Sequence, residues 1–123
     1  MLLAGIVSAG QAPSTPAEVT AFAAALESCT AASARTPHPL MTAFVVDHTI
    51  TGETDSTCGY RQTMPGKMTM VCALTPDGRK LLAADIRTTA SGGSMRGGTN
   101  RAQPGWLKEC EIELPNGKRT PAK

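Results

Sequence analysis

The sequence predicts an α+β domain: an N-terminal helix packed on a small antiparallel sheet, stapled by two disulfides. Three observations predict it. A capped amphipathic stretch begins at "TPAE"; short β-rich runs follow, separated by turn residues; and four cysteines occur in a chain poor in large apolar side chains. The 123 residues are one domain's worth. Of the 41% that are apolar, 18 residues are Ala, leaving only 20 Leu, Ile, Val and Phe. Net charge is +2, so self-repulsion does not limit folding. The small area of large side chains does. Disulfides compensate, each typically contributing ~2–4 kcal/mol by restricting the unfolded chain.

Cross-linking needs an oxidising compartment, and the N-terminus agrees. "MLLAGIVSAGQA" is apolar through Val7, then small, with Gly10 and Ala12 at the −3 and −1 positions of a cleavage site. Residues 1–12 are therefore expected to be a truncated signal peptide, and residues 13–123 one disulfide-stabilised domain. The basic n-region is missing, which a start codon assigned too far downstream explains. No stretch reaches the ~18–20 apolar residues of a membrane span. The expected location is the periplasm or the medium.

The helix is expected from about Pro16 to Ser33. Thr15 caps, Pro16 suits the first position, and Glu18 completes a capping box. Val19, Phe22, Leu26 and Cys29 recur at three- and four-residue steps on one face. "TPHPL" is expected to end it, because the residue before each proline avoids helical geometry. From Leu40 to Thr51 a strand is expected, with Phe44, Val46, His48 and Ile50 on one face. "TGETDST" reads as a turn.

Thr57–Met64 and Lys67–Leu74 form a hairpin around Pro65-Gly66, a pair suited to a type II turn. Side-chain parity puts Cys58, Tyr60, Gln62, Met64, Met68, Met70 and Cys72 on one side, and Arg61, Thr63, Lys67 and Thr69 on the other. "LTPDGRKLLAADI" does not alternate, so a short helix to about Arg87 is expected rather than a strand. Residues 88–105 hold no apolar periodicity and read as a mobile loop. "CEIEL" alternates cleanly, with Cys110, Ile112 and Leu114 inward, and "PNG" ends the strand.

Several of these features together resemble a family of short, exported bacterial proteins of uncharacterised function. The matching residues are Cys29-Thr30, His38-Pro39-Leu40, Ile50 and Gly52, Cys58-Gly59-Tyr60, Met64-Pro65, Gly66-Lys67-Met68 and Cys72. The resemblance covers residues 19–88. It implies export and disulfides and carries no activity with it. Family members have a further cysteine near position 34, where this chain has Ala34, and Cys110 stands as its replacement partner for Cys29.

Chemistry finds few footholds. There is no Cys-x-x-Cys redox spacing, and the intervals between cysteines lack the close pairs of a zinc site. "SGGSMRGG" lacks the Gly-Lys-Ser/Thr ending of a phosphate loop, and no Gly-x-Ser-x-Gly elbow exists. Residues 1–60 carry a net −4 and residues 61–123 a net +6. A basic half can mark an acidic partner, yet few aromatics are present to stack bases, so nucleic acid is not expected. Met64, Met68 and Met70 could offer thioethers to Cu(I), with His48 or His38 adding a nitrogen. Core filling is the favoured reading, since parity already places them on the core side and Met packs into irregular gaps. The expectation is a non-catalytic binding protein without cofactor or metal. A periplasmic Cu(I)-binding protein is second, and a small enzyme third. Arg96 and Arg101 in the loop are the expected contacts with a protein or acidic partner. Four cysteines allow three pairings. The pairing expected here is Cys58–Cys72 across the hairpin and Cys29–Cys110 from helix to C-terminal strand.

Overall fold

The computed structural model describes residues 12–38, 40–41, 43–91 and 105–122. The elements in order are α1 (Pro16–Ser28), β1 (Ala32–Pro37), β2 (Val45–Thr54), β3 (Thr57–Met64), β4 (Met68–Leu74), α2 (Pro76–Ala90), a short 3-10 turn (Leu107–Glu109), β5 (Cys110–Glu113) and β6 (Arg119–Pro121). The six strands form one antiparallel sheet in chain order, β1-β2-β3-β4-β5-β6. Both helices pack on one face, which makes the α+β architecture a finding. Val19, Phe22 and Leu26 of α1 and Leu82, Ala83 and Ile86 of α2 meet Ala34, Ile50, Tyr60, Met70, Cys72 and Leu74 of the sheet. Arg87 grips Glu27 through two hydrogen bonds of 2.9 and 3.0 Å, tying α2 to α1 on the solvent side.

The capping box at Thr15 and Glu18 is formed by both of its hydrogen bonds. The helix stops five residues before the expected Ser33. Cys29 takes the left-handed conformation (φ 52°), and Thr30 N–H returns to the Ala25 carbonyl at 2.8 Å. That closure satisfies the last free carbonyls and releases the chain. The segment after it is β1, a strand the sequence does not announce. Ala-rich "ASART" favours helix by propensity, and pairing with β2 overrides it. Pro37 thus ends a strand, not a helix.

β2 starts at Val45 and runs through "TGET", so the turn contracts to Asp55 and Ser56. Both have positive φ (53° and 70°), the twist that a two-residue hairpin needs. Val46, His48 and Ile50 are buried as their alternation predicts. The second hairpin turns through Pro65, Gly66 and Lys67, with φ of 82° and 60° at the last two. Met64 faces Met68, so Cys72 stands opposite Tyr60 and Cys58 opposite Leu74.

This register overturns the expected disulfide pairing. The bonds are Cys29–Cys58 and Cys72–Cys110. Cys58 and Cys72 share a face but are offset diagonally by two residues. Cys110 lies directly across from Cys72 on β5, with Cα atoms 4.0 Å apart. Cys29, at the end of α1, reaches Cys58 with Cα atoms 5.7 Å apart.

α2 is longer than expected, with residues 88–90 in its last turn. Thr75 caps it and is itself held by Glu109, whose carboxylate accepts from Thr75 N–H at 2.9 Å and from its hydroxyl at 2.8 Å. Trp106 is buried and donates its indole N–H to Asp85 at 2.7 Å. These contacts return the chain from α2 to β5. β6, after "PNG", is a further strand without sequence warning. Residues 1–11 of the expected signal peptide and the loop arginines, Arg96 and Arg101, lie outside the described residues. Among the described residues, no helix is long and apolar enough to cross a membrane.

Candidate functional site

β1 is an edge strand, and two features meet along it. The first is a buried polar chain. His48 points inward from β2, between Thr36 on β1 and Tyr60 on β3. Thr36 Oγ1 lies 2.8 Å from His48 Nε2, His48 Nδ1 lies 2.7 Å from Tyr60 Oη, and the Tyr60 hydroxyl donates to Gln62 Oε1 at 2.8 Å. Tyr60 has one proton, and Gln62 takes it, so Nδ1 must donate to Tyr60. Nε2 then accepts from Thr36. Each proton in the chain has a single direction. Burial alone pushes the His48 pKa down to about 4, and burial raises that of Tyr60. Both groups are thus neutral and fully hydrogen-bonded, as buried polar groups must be. The Phe22 ring stands 6.0 Å from His48 and 6.4 Å from Tyr60 and also lines the second feature.

That feature is an open cleft of about 510 Å³ between α1 and the β1 edge. Ala21 and Phe22 form one wall, residues 32–35 the other, and residues 12–14 one end, with Glu18 nearby. The size falls in the ~300–1,000 Å³ range of ligand sites. The local sequence explains the opening. Ala21, Ala32 and Ala34 have small side chains, which leave space between helix and strand here. Ser14 fastens the end of the cleft, its N–H donating to the Arg35 carbonyl at 2.8 Å and its hydroxyl accepting from Arg35 N–H at 2.9 Å. Arg35 Nε donates to the Ala12 carbonyl at 3.1 Å.

The expected cysteines, methionines and histidines are placed apart from this cleft, and Arg96 and Arg101 lie outside the described residues. All four cysteines are spent in disulfides. Met64 and Met68 are a cross-strand pair and Met70 lies further along the same face, buried in the core. His48, one nitrogen source for copper, uses both ring nitrogens in the polar chain. His38 shapes its own turn, its Nδ1 accepting from Leu40 and Met41 N–H groups at 3.0 Å each. Among the described residues, no three His, Cys, Asp or Glu side chains converge as a metal site would require.

Ser33 and Arg35 line the cleft, and neither is singled out by the sequence. A signal existed: Ala32, Ala34 and Thr36 alternate with Ser33 and Arg35. It is readable only once the helix is known to end at Cys29. Gln62 and Tyr60 were placed on the correct face, but nothing in their spacing reveals the hydrogen-bond chain. No protein-family model, curated protein or solved structure matches this chain.

Proposed function

We propose that this protein is an exported, non-catalytic binding protein that receives its ligand in the cleft between α1 and β1. The observation that carries the reading is the cleft itself: ligand-sized, open, and bordered by a strand edge. Two disulfides in a chain of this size support an oxidising compartment, the periplasm or the medium. The resemblance to short exported bacterial proteins points the same way. The non-catalytic part rests on where the perturbed groups lie. His48 and Tyr60 are buried with their hydrogen bonds already made and do not line the cleft, and so do not present a base or acid to it.

The Cu(I) alternative draws on Met64, Met68 and Met70, which share one face of the β3–β4 hairpin. With His48 committed elsewhere, it would rest on thioethers.

The test of the binding reading is a small-compound screen on ¹⁵N-labelled, oxidised protein. Amide shifts clustered at residues 21–22 and 32–35 are expected for the compounds that bind. Shifts that cluster on another surface, or none at millimolar compound, would remove the cleft as the site.

A further inference from the structure

We propose that the cleft takes an extended peptide segment, added as a further strand to the free edge of β1, with Arg35 holding a carboxylate of that segment. The inference rests on the binding reading above and narrows it to one ligand chemistry.

The backbone provides the first part. Arg35 directs both its N–H and its carbonyl away from β2, because Ser14 is bonded to each. Successive residues of a strand alternate in the direction of these groups, so Ala32, Ala34 and Thr36 bond to β2. Ser33, two residues from Arg35, turns its N–H and carbonyl outward as Arg35 does. Among the described residues nothing bonds to them. Edge strands are ordinarily guarded by proline, lysine or a bulge. Here Pro37 guards one end and residues 12–14 cover Arg35, while Ala31 and Ser33 are exposed and small, and nothing among the described residues pairs with their edge. The cleft opens along this stretch, and Ala21 and Phe22 stand back from it. An added strand fits that geometry: main-chain bonds to Ser33 give affinity, and the alanine walls admit small side chains.

The charge provides the second part. Arg61, Arg79, Arg87 and Arg119 each pair with a glutamate. Arg35 pairs with none, although all ten Asp and Glu of the chain lie within the described residues. Asp47 faces it across the β1–β2 ladder without forming an ion pair. Nε is used by Ala12, and among the described residues nothing bonds to the two terminal nitrogens of the guanidinium, the edge that grips a carboxylate in bidentate fashion. Glu18 borders the same cleft, with one oxygen accepting the Thr15 N–H at 2.7 Å. Its charge admits one carboxylate beside Arg35 and opposes a run of them. That carboxylate can be a chain terminus, in a segment parallel to β1, or an acidic side chain in an antiparallel one.

Three synthetic pools of acetylated hexapeptides, randomised over Gly, Ala, Ser, Thr and Val, distinguish these sources. One pool ends in a free carboxylate, one is amidated with a single Asp at each position in turn, and one is amidated without acid. Each is passed over immobilised oxidised protein. Wild type is expected to retain at least one acidic pool tenfold or more above the neutral pool. Arg35→Gln should drop that pool to the neutral level. Ser33→Pro, which removes the outward N–H, should abolish retention of all three; Ala21→Trp, which fills the cleft from an exposed helix position, serves if the proline variant does not fold. Preference for the free-acid pool identifies a C-terminus, and preference for the Asp pool a side chain. Equal or absent retention of the three pools on wild type, or full retention on the Ser33→Pro or Ala21→Trp protein, overturns the inference. If small compounds still shift the cleft amides while no pool is retained, the binding reading stands and the peptide inference falls alone.

Discussion

Lowering the pH from 7 to 4 should cost this protein on the order of 3 kcal/mol of stability through His48 alone. The side chain is only 4% exposed, and its pKa is pushed from 6.5 to about 4 by burial. No charged neighbour contributes to the shift; the groups around the ring are Thr36, Tyr60 and Phe22. In the unfolded chain the histidine titrates near 6.5. Between the two values the unfolded chain holds a proton that the folded chain does not. Stability from this group is therefore complete above about pH 6.5 and is lost progressively as the pH falls toward 4. A gap of about 2.5 units at about 1.36 kcal/mol per unit gives the magnitude. The structure supplies the reason for the cost: Nδ1 already donates to Tyr60, so a second proton on Nε2 forces Thr36 to turn from donor to acceptor. Urea unfolding of wild type and His48→Gln between pH 7.5 and 4 measures the effect. The variant should be less stable at neutral pH but lack this part of the acid dependence. Histidine ¹⁵N spectra of the folded protein should show the Nδ1–H tautomer and no titration of His48 above pH 5. A folded pKa near 6.5, or equal pH slopes for the two proteins, would refute the reasoning.

Three further outcomes are expected. Non-reducing peptide mapping should find Cys29 joined to Cys58 and Cys72 to Cys110, and replacing either pair by Ala should cost about 4 kcal/mol from loops of 29 and 38 residues; a Cys58–Cys72 peptide would contradict the register. Gly78→Ala should destabilise by about 1–3 kcal/mol in thermal or urea unfolding, because a methyl group there overlaps the Glu109 carboxylate that holds Thr75. An exposed helix site would instead gain about 1 kcal/mol from the same change, so the sign decides. Met70→Ala should cost roughly 2–5 kcal/mol as a core truncation, while Met70→Leu should cost less than about 1.5 kcal/mol; stoichiometric Cu(I) binding lost in Leu variants of Met64, Met68 and Met70 would instead support the copper alternative.

The two-layer plan was legible because its signals are local. Thr15-Pro16-Glu18 is a helix start on its own, and alternation through Val46, His48 and Ile50 needs no partner to be read. The hairpin of β3 and β4 and the inward face of Met70 and Cys72 follow from parity in the same way. What escaped depends on distance. The end of α1 rests on Cys29 adopting a left-handed backbone, a choice stabilised by its bond to Cys58. β1 has Thr36 as its single β-branched residue and two alanines, so its own composition does not announce a strand and pairing with β2 makes it one. The disulfide pairing turned on one extra turn residue, Lys67, which slides Cys72 away from Cys58 and toward Cys110. The cleft escaped for the same reason as β1: its walls exist only once the strand is placed beside α1. The partners of His48 lie 12 residues away on either side, on different strands.

Addition of a strand to β1 requires its edge to be open at Ser33. Amide hydrogen exchange of the free, oxidised protein reads this directly. Ala34 and Thr36 bond to β2 and should be protected, whereas Ser33 on the same strand should exchange near the rate of an unstructured amide. If Ser33 is protected as strongly as Ala34 in the absence of any ligand, the edge is already occupied and the cleft beside it is not a place for an added strand.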